Sequence, residues 1–280
     1  MSAVVLAVAN QKGGVGKTTT TVNLGAALAE RGRRILLVDS DPQANLTAAL
    51  GLPKDGPSTY DLLLGDAAPA DIRRQATGAA LRDAAGGAPR LNGAPGAPGS
   101  ARAVDVLPAA PDLAGAEVEL VGMEGRERRL ASALNPLRQG YDYILVDCPP
   151  SLGLLTLNAL VAADGVIAPV QCEYLALEGL TQLLHTLSRV RQALNPRLAN
   201  LYLLMTMYDA RTGLSQDVVR DVRRHYPRLF LETIIPRTVR LGEAPSYGQS
   251  ILRYDPAGRG AAAYRALAAE VDGRIFQGAA

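Results

Sequence analysis

Lys12-Gly13-Gly14-Val15-Gly16-Lys17-Thr18-Thr19 stands between a Val-rich apolar run at 3–9 and a segment of helical periodicity at 17–31. Strand, glycine-rich loop and helix in that order make a phosphate cradle. Gly13, Gly14 and Gly16 let backbone N–H groups turn toward phosphate oxygens. The helix that starts near Lys17 aims its positive dipole end at the same place. In such a loop Lys17 bridges the β- and γ-phosphates, and the Thr18 hydroxyl ligates Mg²⁺. Val15 and Thr19 complete the cradle, and ATP with Mg²⁺ is the expected ligand. The general pattern G-x-x-x-x-G-K-[ST] is met at Gly16, Lys17 and Thr18. Gln11 takes the place of its first glycine, and Lys12 adds a cation inside the loop.

The lysines mark the site a second time. Of 29 basic residues only Lys12, Lys17 and Lys54 are lysine, so two of three fall in one loop. A compact ammonium on a flexible stem fits between phosphate oxygens where a planar guanidinium fork does not. In a chain that otherwise uses arginine, lysine at 12 and 17 reads as a requirement.

Outward from the loop, apolar strand patterns recur at 34–38, 104–107, 143–146, 165–170, 200–207 and 233–235. Helical patterns occupy 59–64, 112–121, 126–138, 152–163, 175–194, 214–225 and 257–276. Alternating strands and helices predict an α/β fold, a doubly wound and mostly parallel sheet with helices on both faces. Ligands in such sheets sit at the C-terminal strand ends. Residues 84–101 contain 14 Ala, Gly or Pro among 18 and read as a flexible surface insertion in a single domain spanning 1–280. No apolar run approaches the roughly 18–20 residues of a membrane span. The N-terminus lacks a basic leader, and Cys148 and Cys172 have no metal-ligand or redox spacing, so a reduced cytoplasmic setting is expected. A net charge of only +2 means that any nucleic-acid contact must come from a local patch.

The lysine-bearing loop strongly resembles that of the ParA/MinD family of deviant Walker A ATPases. Val38-Asp39-Ser40-Asp41-Pro42-Gln43-Ala44-Asn45 is similar to the family's switch I. The segment from Asp142 through Val146-Asp147-Cys148-Pro149-Pro150-Ser151 is similar to its Walker B strand and switch II. Ile235-Pro236-Arg237-Thr238 through Ser246, with Tyr254-Asp255-Pro256, resembles the chromosomal ParA (Soj-type) branch. The likeness covers nearly the whole chain outside 84–101.

The resemblance implies roles. Lys12 reaches across an ATP-sandwich homodimer to the partner's phosphates, where it offsets the repulsion between two polyanionic nucleotides. Asp41 positions the attacking water, while Asp39 lies near the Mg²⁺ shell or caps local structure. Asp147 holds a Mg²⁺-bound water. Pro236 and Thr238 occupy the positions that hold adenine, although the family commonly has Asn where this chain has Thr238. Arg211 and Arg240 match arginines that bind double-stranded DNA without sequence preference. Residues 201–280 hold 11 Arg against 8 Asp plus Glu, a modest basic excess that Arg220, Arg223 and Arg224 could extend. The function implied is chromosome or plasmid partitioning, with a ParB-type centromere-binding partner stimulating hydrolysis and a nucleoid-associated location. The alternative is a MinD-like membrane switch. Against it, the last helix carries mixed charges (Arg265, Glu270, Asp272, Arg274) opposite an apolar face and reads as docked on the sheet. A biosynthetic or metal-cluster enzyme is a third class, with no cluster ligands to support it.

Overall fold

Strands β1 (Val4–Val8), β2 (Ile35–Asp39), β3 (Arg74–Gln75), β4 (Val104–Leu107), β5 (Tyr143–Asp147), β6 (Gly165–Gln171) and β7 (Asn200–Thr206) form one sheet. Their order is β3-β4-β2-β5-β1-β6-β7. All neighbours are parallel except β3, which runs antiparallel along β4 at the edge. This is a computed structural model, and it describes residues 2–76, 104–173 and 176–277. The Ala/Gly/Pro-rich stretch at 84–101 lies outside the described residues.

The parallel strands are largely buried on both faces, as near-continuous apolar runs require. Val5, Ala7, Leu36, Val38, Ile144 and Val146 belong to the core on one face, which also takes Leu113, Leu130, Leu155 and Leu183. Leu6, Val8, Ile35, Leu37, Tyr143 and Leu145 belong to the core on the other, with Leu24, Leu28, Tyr264 and Leu267. The described α-helices are α1 (Lys17–Glu30), α2 (Asn45–Ala49), α3 (Thr59–Leu64), α4 (Pro69–Ile72), α5 (Leu113–Glu119), α6 (Arg129–Leu134), α7 (Leu154–Ala162), α8 (Ala176–Ala193), α9 (Gly213–His225), α10 (Val239–Glu243), α11 (Ile251–Tyr254) and α12 (Arg259–Gln277). The doubly wound α/β fold expected from the pattern is the fold observed.

Three local expectations change. The 126–138 helix is broken into a 3₁₀ turn, α6 and a second 3₁₀ turn at Asn135–Gln139. Asn135 keeps helical backbone (φ −55°, ψ −45°), but Pro136 has no N–H to donate into the next turn, so the α-helical ladder of α6 ends there. The 112–121 helix likewise ends early, passing into a 3₁₀ turn at Leu120–Gly122. Residues 233–235 are not a strand. The amides of Glu232 and Thr233 donate to the Glu270 carboxylate on α12 at 2.8 and 2.9 Å, so they do not ladder with β7. Only isolated bridges remain, Leu203 to Phe230 and Tyr208 to Pro236.

Helix α1 lies close on the sheet because of Gly25. A Cβ there would meet Leu37 Cδ2 at 2.7 Å and Ile35 Cγ2 at 3.6 Å. Overpacking of this kind costs about 1–3 kcal/mol. Gly25→Val is expected to lower the melting temperature by several degrees (roughly 2–4 °C per kcal/mol in a chain of this size). An unchanged melting curve would show that α1 shifts freely.

Helix α12 buries Tyr264, Leu267, Ala268 and Val271. Its Asp272 accepts from Arg31, Arg33 and the Tyr143 hydroxyl, which fixes the helix to α1 and β5. The apolar face of the last helix is thus docked on the protein. Among the described residues no helix is long and apolar enough to cross a membrane.

Candidate nucleotide site

The strand order sets β1 between β5 and β6, and β5 between β1 and β2. The loops after β1, β2 and β5 therefore meet at one edge. Strand register then pairs Asp39 with Asp147, two strand-end acids side by side on one face.

The phosphate loop is anchored at both ends. Asn10 donates from Nδ2 to the Pro169 carbonyl at 2.7 Å and accepts the Lys12 amide at 3.0 Å. Thr206 Oγ1 donates to the Val15 carbonyl at 2.9 Å, tying the loop to the end of β7. Gly16, at φ 92°, immediately precedes α1, and no side chain caps that helix. Left-handed backbone at this position favours glycine. The uncapped helix N-terminus behind it suits an anion.

Lys17 is nearly buried, and its Nζ donates to the Lys12 carbonyl at 3.1 Å. Burial pushes its ammonium below the ordinary lysine range, opposed by the negative charge of Asp147. Lys12 points elsewhere. Its Nζ sits 2.9 Å from Glu173 Oε2 at the surface, beyond the end of β6.

Asp147 is fully buried. It accepts from Thr18 Oγ1 at 2.7 Å and from Thr21 Oγ1 at 3.3 Å. Burial, then the adjacent Asp39, pushes its carboxyl well above the usual carboxylate range. Asp39 is pushed up to about 6 by burial, opposed by hydrogen bonds from the Thr47 hydroxyl at 2.7 Å and the Thr47 amide at 2.9 Å. Those bonds, with the Asp41 amide at 3.2 Å, make Asp39 an organiser of the switch-I backbone. Asp41 is also buried and accepts the Gln43 amide at 2.9 Å, an Asx turn that starts the turn into α2. Ala44 lies at φ 50°, a left-handed conformation costly for a residue with a Cβ.

A buried acid pair short of positive charge suits a cation. Mg²⁺ takes hard oxygen ligands and is commonly held by one or two protein oxygens plus phosphates and water. The Thr18 hydroxyl hydrogen-bonded to Asp147 fits that donor set, and no group of three or more His, Cys, Asp or Glu forms a protein cage among the described residues.

The raised carboxyls predict a pH dependence. From the ordinary value of 3.8 up to about 6, folded Asp39 holds a proton that the unfolded chain has released. Without ligand, stability therefore falls as pH rises through that window, by on the order of 1–3 kcal/mol. Mg²⁺-ADP favours the ionised pair and is expected to flatten the slope. Thermal melts between about pH 4.5 and 6.5 measure both, and a ligand-independent slope would contradict the acid pair's part in it.

Beside Thr18 and Thr19 opens a cleft of about 390 Å³, bounded also by Asn45 of α2 and by Pro245, Ser246 and Gln249. Pro236 and Thr238 are not in its wall. Thr238 caps α10, its hydroxyl accepting the Arg240 amide at 3.2 Å. Arg211 and Arg240 lie on neighbouring segments, since the Arg237 amide donates to the Tyr208 carbonyl at 2.9 Å and the Tyr208 amide to the Ile235 carbonyl at 3.1 Å.

Known proteins match this arrangement. A family profile described as an AAA domain covers residues 3–200. The chain is 49% identical over 269 residues to the sporulation initiation inhibitor protein Soj of Bacillus subtilis, covering 95% of this chain and 97% of that protein. The chain belongs to the ParA/MinD family of deviant Walker A ATPases. It is also 47% identical to the chromosome partitioning protein ParA of Myxococcus xanthus, over 95% of this chain and 87% of that protein. Among solved structures, one of a Mycobacterium smegmatis protein named cobyrinic acid a,c-diamide synthase, with bound ADP and magnesium, superposes with a TM-score of 0.78 at 43% identity, covering 99% and 96% of the chains. The septum site-determining protein MinD of Pyrococcus horikoshii, complexed with Mg-ADP, superposes at 0.71 with 28% identity, covering 97% and 96%.

Within the family site the sequence reading missed Asn10, Thr21, Thr47, Glu173 and Thr206. Glu173 carries the same signal as Asp39 and Asp147, an acid just past an apolar strand. Thr21 shares a helix face with Lys17 at a four-residue spacing. Asn10 and Thr206 bond backbone groups, Thr47 bonds the Asp39 carboxylate, and none of the three belongs to a motif.

Proposed function

We propose that this chain is a ParA/Soj-type partitioning ATPase. ATP drives a sandwich homodimer, the dimer binds double-stranded DNA without sequence preference, and hydrolysis stimulated by a ParB-type protein releases it. The observation that carries the reading is the pair of lysines with different settings. Lys17 is buried in its own loop, whereas Lys12 projects to the surface on an exposed pair with Glu173. An exposed pair is worth at most about 1 kcal/mol, so Lys12 is free to trade Glu173 for a partner's phosphates.

The phosphates rest on the backbone of Gly13, Gly14, Val15 and Gly16, with Lys17 on the β- and γ-groups and Thr19 beyond. Thr18, and Asp147 through water, hold Mg²⁺, which neutralises charge on the leaving phosphates. Asp41 orients the attacking water. The adenosine end runs along the 236–249 segment, where Pro236 and Thr238 flank the base. Arg211 and Arg240 supply the phosphate contacts to DNA. The setting is cytoplasmic and nucleoid-associated.

A cysteine-dependent amide transfer would need a reactive thiolate, and the two cysteines do not offer one. Cys148 and Cys172 are buried, and burial pushes Cys172 up to about 12 and Cys148 higher still. Co-sedimentation with DNA and with anionic liposomes in ATP tests the reading. Pelleting with DNA is expected, and pelleting with liposomes alone would favour the MinD-like alternative.

A further inference from the structure

Each arginine assigned to DNA is held by a carboxylate of its own chain. Arg211 Nε and a terminal nitrogen reach the two oxygens of Asp209 at 2.9 and 2.7 Å, and Asp209 also accepts the Arg211 amide at 3.0 Å. Asp209 is held well below the usual carboxylate range by those bonds, Arg211 first. Arg240 lies 3.1 Å from Glu243, which also accepts from the Tyr254 hydroxyl at 3.0 Å. The same habit extends along α9, where Arg220 pairs with Asp217 and Arg223 with Glu232. The charge of these four arginines is therefore balanced pair by pair, although Arg211 and Arg240 are themselves exposed.

We infer that Asp209 and Glu243 set the DNA affinity of this protein by screening Arg211 and Arg240, so that one protomer binds too weakly and two patches must act together. The inference rests on the DNA-binding reading above. A phosphate that approaches either arginine meets a carboxylate within one hydrogen-bond length, and it must displace that carboxylate or accept its repulsion. Exposed ion pairs break easily, so the carboxylates act as competitors and not as locks. Their effect falls on the electrostatic, sequence-independent part of binding, which depends steeply on net local charge and salt. Linking two weak patches in one dimer then gives a large gain in affinity, which makes binding sensitive to the nucleotide state.

The test uses the full chain with Asp209→Asn and Glu243→Gln, singly and together, against a random duplex in ATP and in ADP. Glu30→Gln serves as the control, since it makes the same charge change at the far end of α1, where Glu30 pairs with Arg265. Thermal melts and far-UV circular dichroism check that each variant is folded. The double variant is expected to bind roughly three- to tenfold tighter at low salt and to show binding in ADP that the parent lacks, while Glu30→Gln matches the parent. Unchanged or weaker binding by both single variants would overturn the inference, as would equal tightening by Glu30→Gln. Failure of the parent to bind DNA in ATP would instead overturn the DNA-binding reading itself.

Discussion

Lys12→Ala is expected to stay monomeric in ATP while folding normally. In the proposed sandwich, two nucleotides facing each other bring several negative charges into one low-dielectric space, and a lysine donated from each side would offset them. Truncating one member of a buried charge pair costs about 2–5 kcal/mol, and the symmetric dimer loses two. Dimerisation should weaken by at least about a thousandfold. The free protein should hardly notice, because the Lys12–Glu173 pair is exposed on both sides and pairs of that kind contribute little. Sedimentation velocity in ATP, with a melting curve as control, checks both statements. A dimer that persists would remove Lys12 from the trans role.

Asp41→Ala is expected to separate binding from turnover. The nucleotide still has the loop backbone, Lys17 and Thr18, and the dimer still has Lys12. What is lost is the carboxylate proposed to orient water, a role worth about 10²–10⁴-fold in rate. Asp41 suits it because it is buried just past the end of β2, with its amide held by Asp39 and its carboxylate oriented by the Gln43 amide. ATP-dependent dimers with turnover reduced on the order of a hundredfold or more are expected. An unchanged rate would place the water elsewhere.

Much of the fold was legible because parallel strands buried on both faces read as short apolar runs between helical periods. Val4–Val8, Ile35–Asp39 and Tyr143–Asp147 are such runs. The phosphate loop was legible because its backbone geometry demands glycine and its charge demands lysine. Elements held by side-chain bonds to distant residues were not. Residues 233–235 keep only the Ile235 amide on β7, because Glu270, some 37 positions away from Thr233, takes the Thr233 donor. The two-residue edge strand at Arg74–Gln75 is too short to show a period. The motif leaves Asp39 between two roles, and the bonds from Thr47 and the Asp41 amide give it the structural one. The pairing of Arg211 with Asp209 is local in sequence, yet an acid beside an arginine is too common to read as a screen.

The most direct measurement is affinity for a random DNA duplex in ATP, in ADP and without nucleotide, across a salt series. Binding confined to ATP is expected, with affinity falling steeply as salt rises, because phosphate-directed arginines release counterions. Equal binding in ADP, or binding indifferent to salt, would contradict a nucleotide-switched, arginine-borne DNA grip.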